Sequence, residues 1–201
     1  MVSPATDAGR QALRTTLRAR RRALTGPEQQ RAAQALAARA AATRWFRVSR
    51  RIALYLPNDG EIDPQPLLDR IQASNKRGYL PILSRLKHDR LWFAPYGGAG
   101  PLRLNRFGIP EPVVPARQWV RAQDLDLILM PLVAFDNRGN RLGMGGGFYD
   151  KSLAFLRARA CWRKPHLIGL AHDFQCVPQL DPFPWDVPLQ AVVTDQCVYN
   201  F

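Results

Sequence analysis

The chain has 201 residues, 46% of them hydrophobic, which suits one folded domain over residues 1–201. No segment is long and apolar enough to span a bilayer, and residues 1–22 lack the apolar core of a secretory signal, so a cytoplasmic protein without membrane attachment is expected. Lys and Arg number 29 against 16 Asp and Glu, a net charge of +13. This charge favours an anionic partner without distinguishing nucleic acid, a membrane surface or a small polyanion.

Two helices are predicted near the start of the chain. Arg10, Arg14 and Arg18 recur every fourth residue as one basic row beside an apolar side, which predicts a helix over 10–24. Capping-box spacing at Thr25 predicts the start of a second helix, rich in alanine.

Strand-like and helix-like segments alternate after this point. The stretch 125–135 is the most apolar and predicts a central strand buried on both faces. The alternation predicts a three-layer α/β/α fold with a mostly parallel, Rossmann-like sheet. The proline-rich segment 178–188 is expected to be a rigid surface connection. Further strands are predicted at 51–56, 79–83, 90–94, 167–171 and 190–194, and further helices at 66–76 and 149–159.

The cysteines and histidines do not predict a structural metal site or a disulfide framework. The cysteines are odd in number, and no two of them have Cys-x-x-Cys spacing. Reduced and mostly buried thiols are expected, with His166 and His172 as satisfied side chains at the two ends of a strand. The remaining members of these two groups are His88, Cys161, Cys176 and Cys197.

The segment with the strongest functional signal is 135–150, FDNRGNRLGMGGGFYD. A predicted strand ends at Phe135, a polar turn follows, and four glycines then occupy five positions before a predicted helix. Glycines let backbone N–H groups converge on an anion, the helix start adds partial positive charge, and Arg141 can bind a phosphate through two hydrogen bonds. No Gly-Lys-Ser/Thr follows, which excludes a Walker A loop, and the Gly-x-Gly-x-x-Gly order of a dinucleotide fold is absent. Such a glycine cluster alone can also simply turn the chain.

The complete string 135–150 resembles the signature of the 5-formyltetrahydrofolate cyclo-ligase family, also called methenyltetrahydrofolate synthetases. That family has Phe-Asp-x-x-Gly-x-Arg-Leu-Gly-x-Gly-x-Gly-Tyr-Tyr-Asp here, and Phe148 stands where Tyr is commoner. The resemblance extends over nearly the whole chain. It implies a NagB/RpiA/CoA-transferase-like α/β fold and an enzyme that uses ATP to close 5-formyltetrahydrofolate into 5,10-methenyltetrahydrofolate, releasing ADP and phosphate.

The resemblance also implies an ATP site in which Arg141 is the catalytic residue. The segment 10–14 matches the family's Lys/Arg-x-x-Leu-Arg, on a basic helix that approaches the ATP phosphates. A solvated basic face is the alternative interpretation, and it is kept for Arg18 and for 20–22. The implied ATP-binding residues are Arg10, Arg14, Arg141, Leu142, Gly143, Met144, Gly145, Gly146, Gly147, Phe148 and Tyr149.

For the folate, the resemblance implies contacts from the segment after the first strand. Leu56 and Glu61 match substrate-contact positions, and one carboxylate can satisfy both the amino group and the ring N–H of a reduced pterin. Phe107 matches an aromatic position that can stack against the pterin. The alternative interpretation is a charged loop tip for Glu61 and a core aromatic for Phe107. Asp59, Asp63 and Glu111 are not assigned. The implied substrate-binding residues are Leu56, Glu61, Phe107, Met144, Gly145, Gly146, Gly147 and Phe148.

Asp150 and Asp186 are the candidate ligands of Mg2+, which prefers oxygen ligands and often combines one or two carboxylates with substrate phosphates. Asp150 ends the glycine signature, although a carboxylate at a helix start is also favoured by the dipole. The segment 185–190 resembles the family's His-Asp-x-Pro-Leu-Asp. Trp185 and Gln190 depart from it, and Gln190 weakens the expectation of a second carboxylate there.

The implied reaction phosphorylates the formyl oxygen, after which N10 attacks the formyl carbon and phosphate leaves. The expected partners are ATP and 5-formyltetrahydrofolate with or without a polyglutamate tail, bound by a monomer; no membrane or nucleic-acid partner is expected. Two other classes remain as alternatives. The arginine-rich start and the five tryptophans would suit a basic RNA-binding module, although no recognised nucleic-acid motif is present. A related fold could also bind sugar phosphates.

Overall fold

A computed structural model describes residues 7–83, 90–158 and 164–201. His88, Cys161 and the last residue of the helix predicted over 149–159 lie outside these ranges. The helices are α1 (Asp7–Arg22), α2 (Gly26–Ala42), α3 (Arg44–Val48), α4 (Gln65–Ala73) and α5 (Phe148–Leu153). The strands are β1 (Arg51–Ala53), β2 (Arg77–Leu83), β3 (Leu91–Pro95), β4 (Leu102–Leu104), β5 (Pro110–Pro112), β6 (Leu127–Pro131), β7 (Ala134–Phe135), β8 (Arg141–Leu142), β9 (His166–Ala171), β10 (Ala191–Thr194) and β11 (Val198–Asn200).

Seven strands form one sheet in the order β11-β10-β9-β6-β1-β2-β3. The two outer pairs, β10 with β11 and β2 with β3, are antiparallel, and the four pairs between them are parallel. The apolar strand β6 lies between β9 and β1, with Ile128 opposite Ala53 and Met130 opposite Gly169. The mostly parallel sheet and the central place of this strand are therefore confirmed.

The two faces of the sheet are covered differently. Side chains of α2, α3 and α4 pack on one face, where Leu36, Ile71 and Ile52 belong to one buried cluster. On the other face Leu153 of α5 packs with Phe135 and with side chains from loops and short helical turns. The three-layer α/β/α prediction is confirmed, although loops supply much of the third layer. Helix α1 packs instead on the small β7–β8 hairpin.

The second helix begins as its capping box predicts. The N–H and the hydroxyl of Thr25 both donate to the carboxylate of Glu28, at 2.8 and 2.6 Å. This contact satisfies polar groups that the first helical turn leaves unpaired. Helix α1 stops at Arg22, two residues short of the predicted 10–24 range.

The prediction of one continuous strand over 125–135 is wrong. The chain leaves the large sheet after Pro131, and β7 pairs with β8 in a separate two-stranded sheet. Beyond the break, the backbone polar groups find other partners: the N–H of Val133 donates to Leu142 O at 2.7 Å, and Leu132 O accepts from Gln175 at 2.8 Å. Because these bonds are non-local, the apolar run by itself does not indicate where the strand ends.

The thiols and histidines follow their predictions only in part. Cys176 is half-buried and Cys197 is exposed, both as free thiols, so the expectation of burial is wrong for Cys197. His166 is satisfied at the start of β9, with Nδ1 at 2.9 Å from the Gln190 side chain. His172 is buried, and its Nε2 has no partner within the described part of the chain.

Candidate active site

A cavity of about 710 Å³ opens where β1 and β6 end, at the carboxyl edge of the parallel strands. This is the edge at which open α/β sheets generally bind ligands. Its walls come from α1, the turn after β1, the glycine loop before α5, the β4–β5 hairpin and the segment 183–186. Residues far apart in the sequence therefore meet around one space.

Two arginines of α1 line this cavity from one side. Arg14 donates through Nε to Gly143 O at 2.9 Å, which attaches the helix to the glycine loop. Arg10 donates to Asp181 O at 2.8 Å and lies 4.2 Å from the centre of the Phe183 ring. Burial and the neighbouring charge of Arg10 lower the pKa of Arg14. The helix thus presents two arginine cations to a cavity whose lining also includes Asp7 and Asp186.

Arg141 and the two candidate metal ligands lie together at the base of the same wall. Arg141 is buried and donates to Asp150 Oδ1, which also accepts from the Val187 N–H at 3.4 Å. Asp186, next to Val187, lies 3.5 Å from Arg10 through its Oδ2. The pairs Arg141–Asp150 and Arg10–Asp186 are therefore neighbours, because Asp150 accepts from the backbone of the residue that follows Asp186.

This arrangement fits a Mg2+ ion that is completed by phosphate oxygens. All described hydrogen bonds of Asp150 involve Oδ1 and those of the Asp186 carboxylate involve Oδ2, which leaves one oxygen of each available. Two carboxylate oxygens match the ligand preference of Mg2+. Across the described ranges, no group of three or more His, Cys, Asp or Glu side chains is placed to hold a metal ion. A metal here would therefore depend on the nucleotide for further ligands.

The glycine loop is shaped by the hairpin before it. Asp136 is fully buried, and its Oδ1 accepts the N–H groups of Arg138 and Asn140, each at 3.0 Å, which closes the β7–β8 turn. Gly147 precedes α5 with φ +64°, a conformation that glycine adopts without strain. In the described part of the chain, no N–H of 143–147 donates to another protein group, so these donors are free for an anion.

The predicted ATP-binding set is brought to the cavity with one exception. Leu142 is fully buried in the small core that α1 forms with the hairpin, against Leu17, and it is not among the residues that line the cavity. Its carbonyl is also occupied by the Val133 N–H. The prediction for Leu142 is therefore corrected to a packing role. Helix α5 has only six residues, so its dipole contributes less than the sequence suggested.

Glu61 lies in a tight turn after β1. It is close to Arg21 near the end of α1, whereas Arg10 and Arg14 lie earlier in that helix. Its Oε2 accepts the Asn58 N–H at 3.2 Å, and its Oε1 is 3.9 Å from Arg21 Nη1. Burial raises the pKa of Glu61 to about 7, against the lowering effects of the Arg21 charge and the Asn58 N–H. A carboxylate held this way can accept hydrogen bonds from an N–H edge of a ligand and changes charge near neutral pH.

Apolar side chains complete the wall between Glu61 and the glycine loop. Leu56 and Met144 line the cavity, and Phe107 contacts Phe148 edge to face with 5.8 Å between the ring centroids. Phe107 is 53% exposed, which excludes the alternative of a core aromatic. Exposed aromatic and apolar surface facing a cavity suits a flat ring system.

The solvated-face interpretation of the later arginines is wrong for Arg21. Its side chain is 0% exposed, and it donates to Leu132 O and to Asp59. Asp59, left unassigned from the sequence, also binds Arg18 and Arg22. Burial opposes ionisation of Asp59, but hydrogen bonds from Arg22 and Arg18 outweigh it and lower its pKa. One acidic residue at a turn thus organises the end of α1.

The segment 178–188 is not merely a surface connection, as its prolines suggested. Phe183 and Trp185 line the cavity and stack with 4.7 Å between ring centroids. Gln190, in contrast, accepts the Leu167 N–H and lies away from the cavity. Its departure from the family pattern therefore does not touch the metal candidates. Asn58 and Asn105 also line the cavity and carried no sequence signal beyond turn composition.

The fold and the cavity define an α/β protein whose cavity is lined by arginines, by a glycine loop and by a buried carboxylate. The model of the 5-formyltetrahydrofolate cyclo-ligase family matches residues 6–195. The chain is 40% identical over 187 residues to the 5-formyltetrahydrofolate cyclo-ligase of Escherichia coli strain K12, covering 92% of this chain and 100% of that one. Identity to the enzyme of the same name from Haemophilus influenzae is 40% over 182 residues, covering 90% and 94%. The chain belongs to the 5-formyltetrahydrofolate cyclo-ligase family.

One solved structure agrees with this membership, and a second shares the fold. The NMR structure of Aquifex aeolicus 5,10-methenyltetrahydrofolate synthetase has a TM-score of 0.78 at 30% identity and covers 95% of this chain and 92% of that chain. A 5,10-methenyltetrahydrofolate synthetase from Mycoplasma pneumoniae, at 24% identity, shares the fold with a TM-score of 0.69, covering 94% of this chain and 99% of that chain.

Proposed function

We propose that this protein converts 5-formyltetrahydrofolate to 5,10-methenyltetrahydrofolate with consumption of ATP. The observation that supports it most directly is the set of side chains that line the cavity at the ends of β1 and β6. Arg10, Arg14 and Arg141 line it together with the unpaired N–H groups of the glycine loop, and Glu61 lines it from the turn after β1. The triphosphate of ATP can therefore bind at the arginines and the glycine loop while the N–H edge of the pterin binds Glu61, so that the reacting groups of the two substrates meet in one cavity.

The chemistry follows from the leaving group. An amide oxygen leaves poorly, so transfer of the ATP γ-phosphoryl group to the formyl oxygen converts it into a phosphate that can leave when N10 attacks the formyl carbon. Arg141 and the loop N–H groups would neutralise charge on the phosphoryl group in flight, while Arg10 and Arg14 would hold the rest of the triphosphate. No nucleophilic side chain is required. Positioning of the two substrates accounts for much of the rate.

We propose that Asp150 and Asp186 hold Mg2+ together with the nucleotide phosphates. The available oxygen on each carboxylate supports this assignment. When bound, the ion would screen charge between the β- and γ-phosphates. Arg10 and Arg141, now paired with these carboxylates, would then turn toward the phosphates, which their place at the cavity wall allows.

We further propose that the chain acts as one monomeric domain in the cytoplasm, where ATP and reduced folates are available. Strands from residues 51–200 join one sheet, and the cavity draws on α1 as well as on 183–186. None of the described helices is long and apolar enough to cross a membrane. An anionic polyglutamate tail on the folate would be attracted by the net charge of +13 on the protein. Sedimentation of the purified protein tests the monomer.

The RNA-binding alternative loses its main support in the structure. The basic row of α1 does not form an exposed stripe, because Arg10 and Arg14 line the cavity and Arg18 and Arg21 bind Asp59. Electrostatic binding to a nucleic-acid backbone requires accessible cations. No observation favours a sugar phosphate over a nucleotide.

The deciding experiment is an absorbance assay of the purified protein with 5-formyltetrahydrofolate, ATP and Mg2+. The methenyl product absorbs in the near ultraviolet, so product formation that requires all three components is expected. A folded protein that forms no product under these conditions would overturn the proposal. A melting temperature raised by sugar phosphates but not by folates would support the alternative instead.

A further inference from the structure

Arg21 is the largest fully buried charged side chain of the described residues, and the reaction outlined above leaves it without a role. It lies in the last turns of α1, eleven residues after Arg10, a distance of about 16 Å along the helix axis. Burying a guanidinium is costly unless it is paired and hydrogen-bonded, yet its Nε has no partner among the described residues. Such a costly group needs a compensating reason.

The contacts of Arg21 connect two walls of the cavity. Nη2 lies 3.3 Å from Asp59 Oδ2, and Nη1 lies 3.3 Å from Leu132 O and 3.9 Å from Glu61 Oε1. Leu132 and Glu61 both line the cavity. Asp59 and Glu61 belong to one turn, and Leu132 follows β6. A single rigid, planar group therefore sets the spacing between the turn and the end of the central strand.

The backbone at this point leaves little room for adjustment. Asp59 and Gly60 have φ values of +53° and +73°. A Cβ at Gly60 would lie 2.9 Å from the Arg21 carbonyl carbon, so the turn touches the helix backbone directly. Gln29 of α2 donates to both Arg21 O and Gly60 O, at 3.3 and 3.2 Å. The turn that presents Glu61 is thus fixed against α1 on several sides.

We propose that Arg21 is a positioning residue for folate recognition, which fixes the Glu61 carboxylate and keeps it charged at the folate end of the cavity. This inference rests on the proposed function, because it assigns Glu61 to the donor edge of the pterin. It also gives α1 two tasks. Its first turns hold nucleotide phosphates through Arg10 and Arg14, and its last turns orient the group that binds the second substrate.

The charges around Glu61 determine how the role is tested. Burial raises the pKa of Glu61 most strongly; the Arg21 charge opposes this effect, and the neighbouring Asp59 adds to it. Burial, reinforced by the Glu61 charge, raises the pKa values of Tyr55 and Tyr149, so neither ionises near pH 7. Burial lowers the pKa of His172, which lies near Arg21 and Gly60 and stays neutral above pH 7. A pH dependence of folate binding around neutrality would therefore report on Glu61.

The experiment measures kcat and the KM values for folate and ATP between pH 6 and 9, together with folate binding by calorimetry. In the wild type, the folate KM should rise as the pH falls through about 7. Arg21→Gln should raise the folate KM about tenfold at pH 7.5, leave the ATP KM within about twofold, and move the midpoint of the pH dependence up by about one unit or more. Arg21→Lys should retain the wild-type midpoint.

Asp59→Asn is a second variant, which should move the midpoint of the pH dependence in the opposite direction to Arg21→Gln. Asparagine tolerates the positive φ of this position, so the variant should fold. Removing its negative charge should move the midpoint down. The matched control is Arg22→Gln, because Arg22 also binds Asp59 but is exposed and has no contact with Glu61 in the described structure. It should leave both KM values and the midpoint unchanged. In a Glu61→Gln background, replacing Arg21 should no longer affect the pH dependence.

The outcomes separate this proposal from the proposed function. Equal rises of both KM values for Arg21→Gln with an unmoved midpoint, or identical behaviour of Arg22→Gln, would overturn the role of Arg21. Should Arg21→Gln fail to fold, a midpoint that does not move down in Asp59→Asn would overturn it in the same way. Wild-type protein that binds folate with this pH dependence but forms no product would overturn the proposed function and support the role of Arg21.

Discussion

Replacing Arg141 by alanine tests the phosphate site at its most buried cation. The Arg141 side chain is 5% exposed, donates to Asp150 and lines the cavity beside the glycine loop. Its removal takes away the charge that would act on the transferring phosphoryl group, while the loop N–H groups and Arg14 remain. ATP-dependent parameters should therefore suffer more than folate binding.

The magnitude has a catalytic and a structural part. Loss of one charged donor to a developing transition-state charge costs about 3 kcal/mol, or about 10²-fold in kcat/KM for ATP. The variant also leaves Asp150 unpaired. Because Asp150 is 16% exposed, its penalty should fall below the about 3–5 kcal/mol of a fully buried broken pair. A loss of about 2 kcal/mol would lower the melting temperature by about 4–8 °C.

Steady-state kinetics with each substrate varied in turn, combined with thermal unfolding, measures both parts. The double variant Arg141→Ala with Asp150→Asn should recover part of the melting temperature without recovering activity, because the unpaired charge is gone and the cation is still missing. Arg138→Ala is the control, since Arg138 is exposed in the preceding turn and does not line the cavity. Equal weakening of ATP and folate, or activity restored in the double variant, would refute the catalytic role.

Three further results are expected. Asp150→Asn and Asp186→Asn should each raise the Mg2+ concentration for half-maximal activity at least about tenfold, whereas Asp69→Asn on α4 should not; an unchanged Mg2+ titration removes that residue from the site. Phe107→Leu should raise the folate KM about 2–10-fold and leave that of ATP unchanged, and a larger effect on ATP would contradict its placement. Because the pKa of Glu61 rises to about 7 in the folded state, the folded protein binds more protons than the unfolded chain, and its stability falls as pH rises from about 4 to about 7. Glu61→Gln should therefore stabilise the ligand-free protein at pH 8 by about 1–3 kcal/mol, and little at pH 4; a pH-independent difference in melting temperature would exclude this cause.

The stability expected for Glu61→Gln identifies a cost of function. A buried carboxylate that titrates near neutrality destabilises the free protein, and a ligand with an N–H edge would offset this cost on binding. The arrangement around Arg21 limits the cost without removing it, since Asp59 competes for the same guanidinium. Functional sites commonly contain such locally unfavourable groups.

The sequence was sufficient to predict those structural features that depend on residues close together in the chain. The capping box at Thr25 depends on residues three apart, and α2 starts where it predicts. The apolar run around Ile128 depends on burial from both faces, and β6 is central. Helical periodicity was enough to place Arg10 and Arg14 on one side of α1, and the structure places that side at the cavity.

The tertiary structure was needed wherever partners come from distant segments. Arg21 and Arg22 are adjacent and chemically identical, yet one is fully buried and the other exposed, because α1 docks on the turn at Asp59. Leu142 lies inside the signature that suggested nucleotide contact, but the β7–β8 hairpin turns its side chain into the core.

By itself, then, the sequence determined the family signature, the parallel sheet and the residues that can bind an anion, since these depend on residue type and short-range spacing. Only the tertiary structure decided which arginines line the cavity and which are enclosed. It also placed Trp185 in the cavity wall, although the prolines of its segment predicted a rigid surface connection. The physical reason is that burial and charge pairing are set by the docking of α1 and by loops that meet at the carboxyl edge of the sheet, contacts that no local periodicity records.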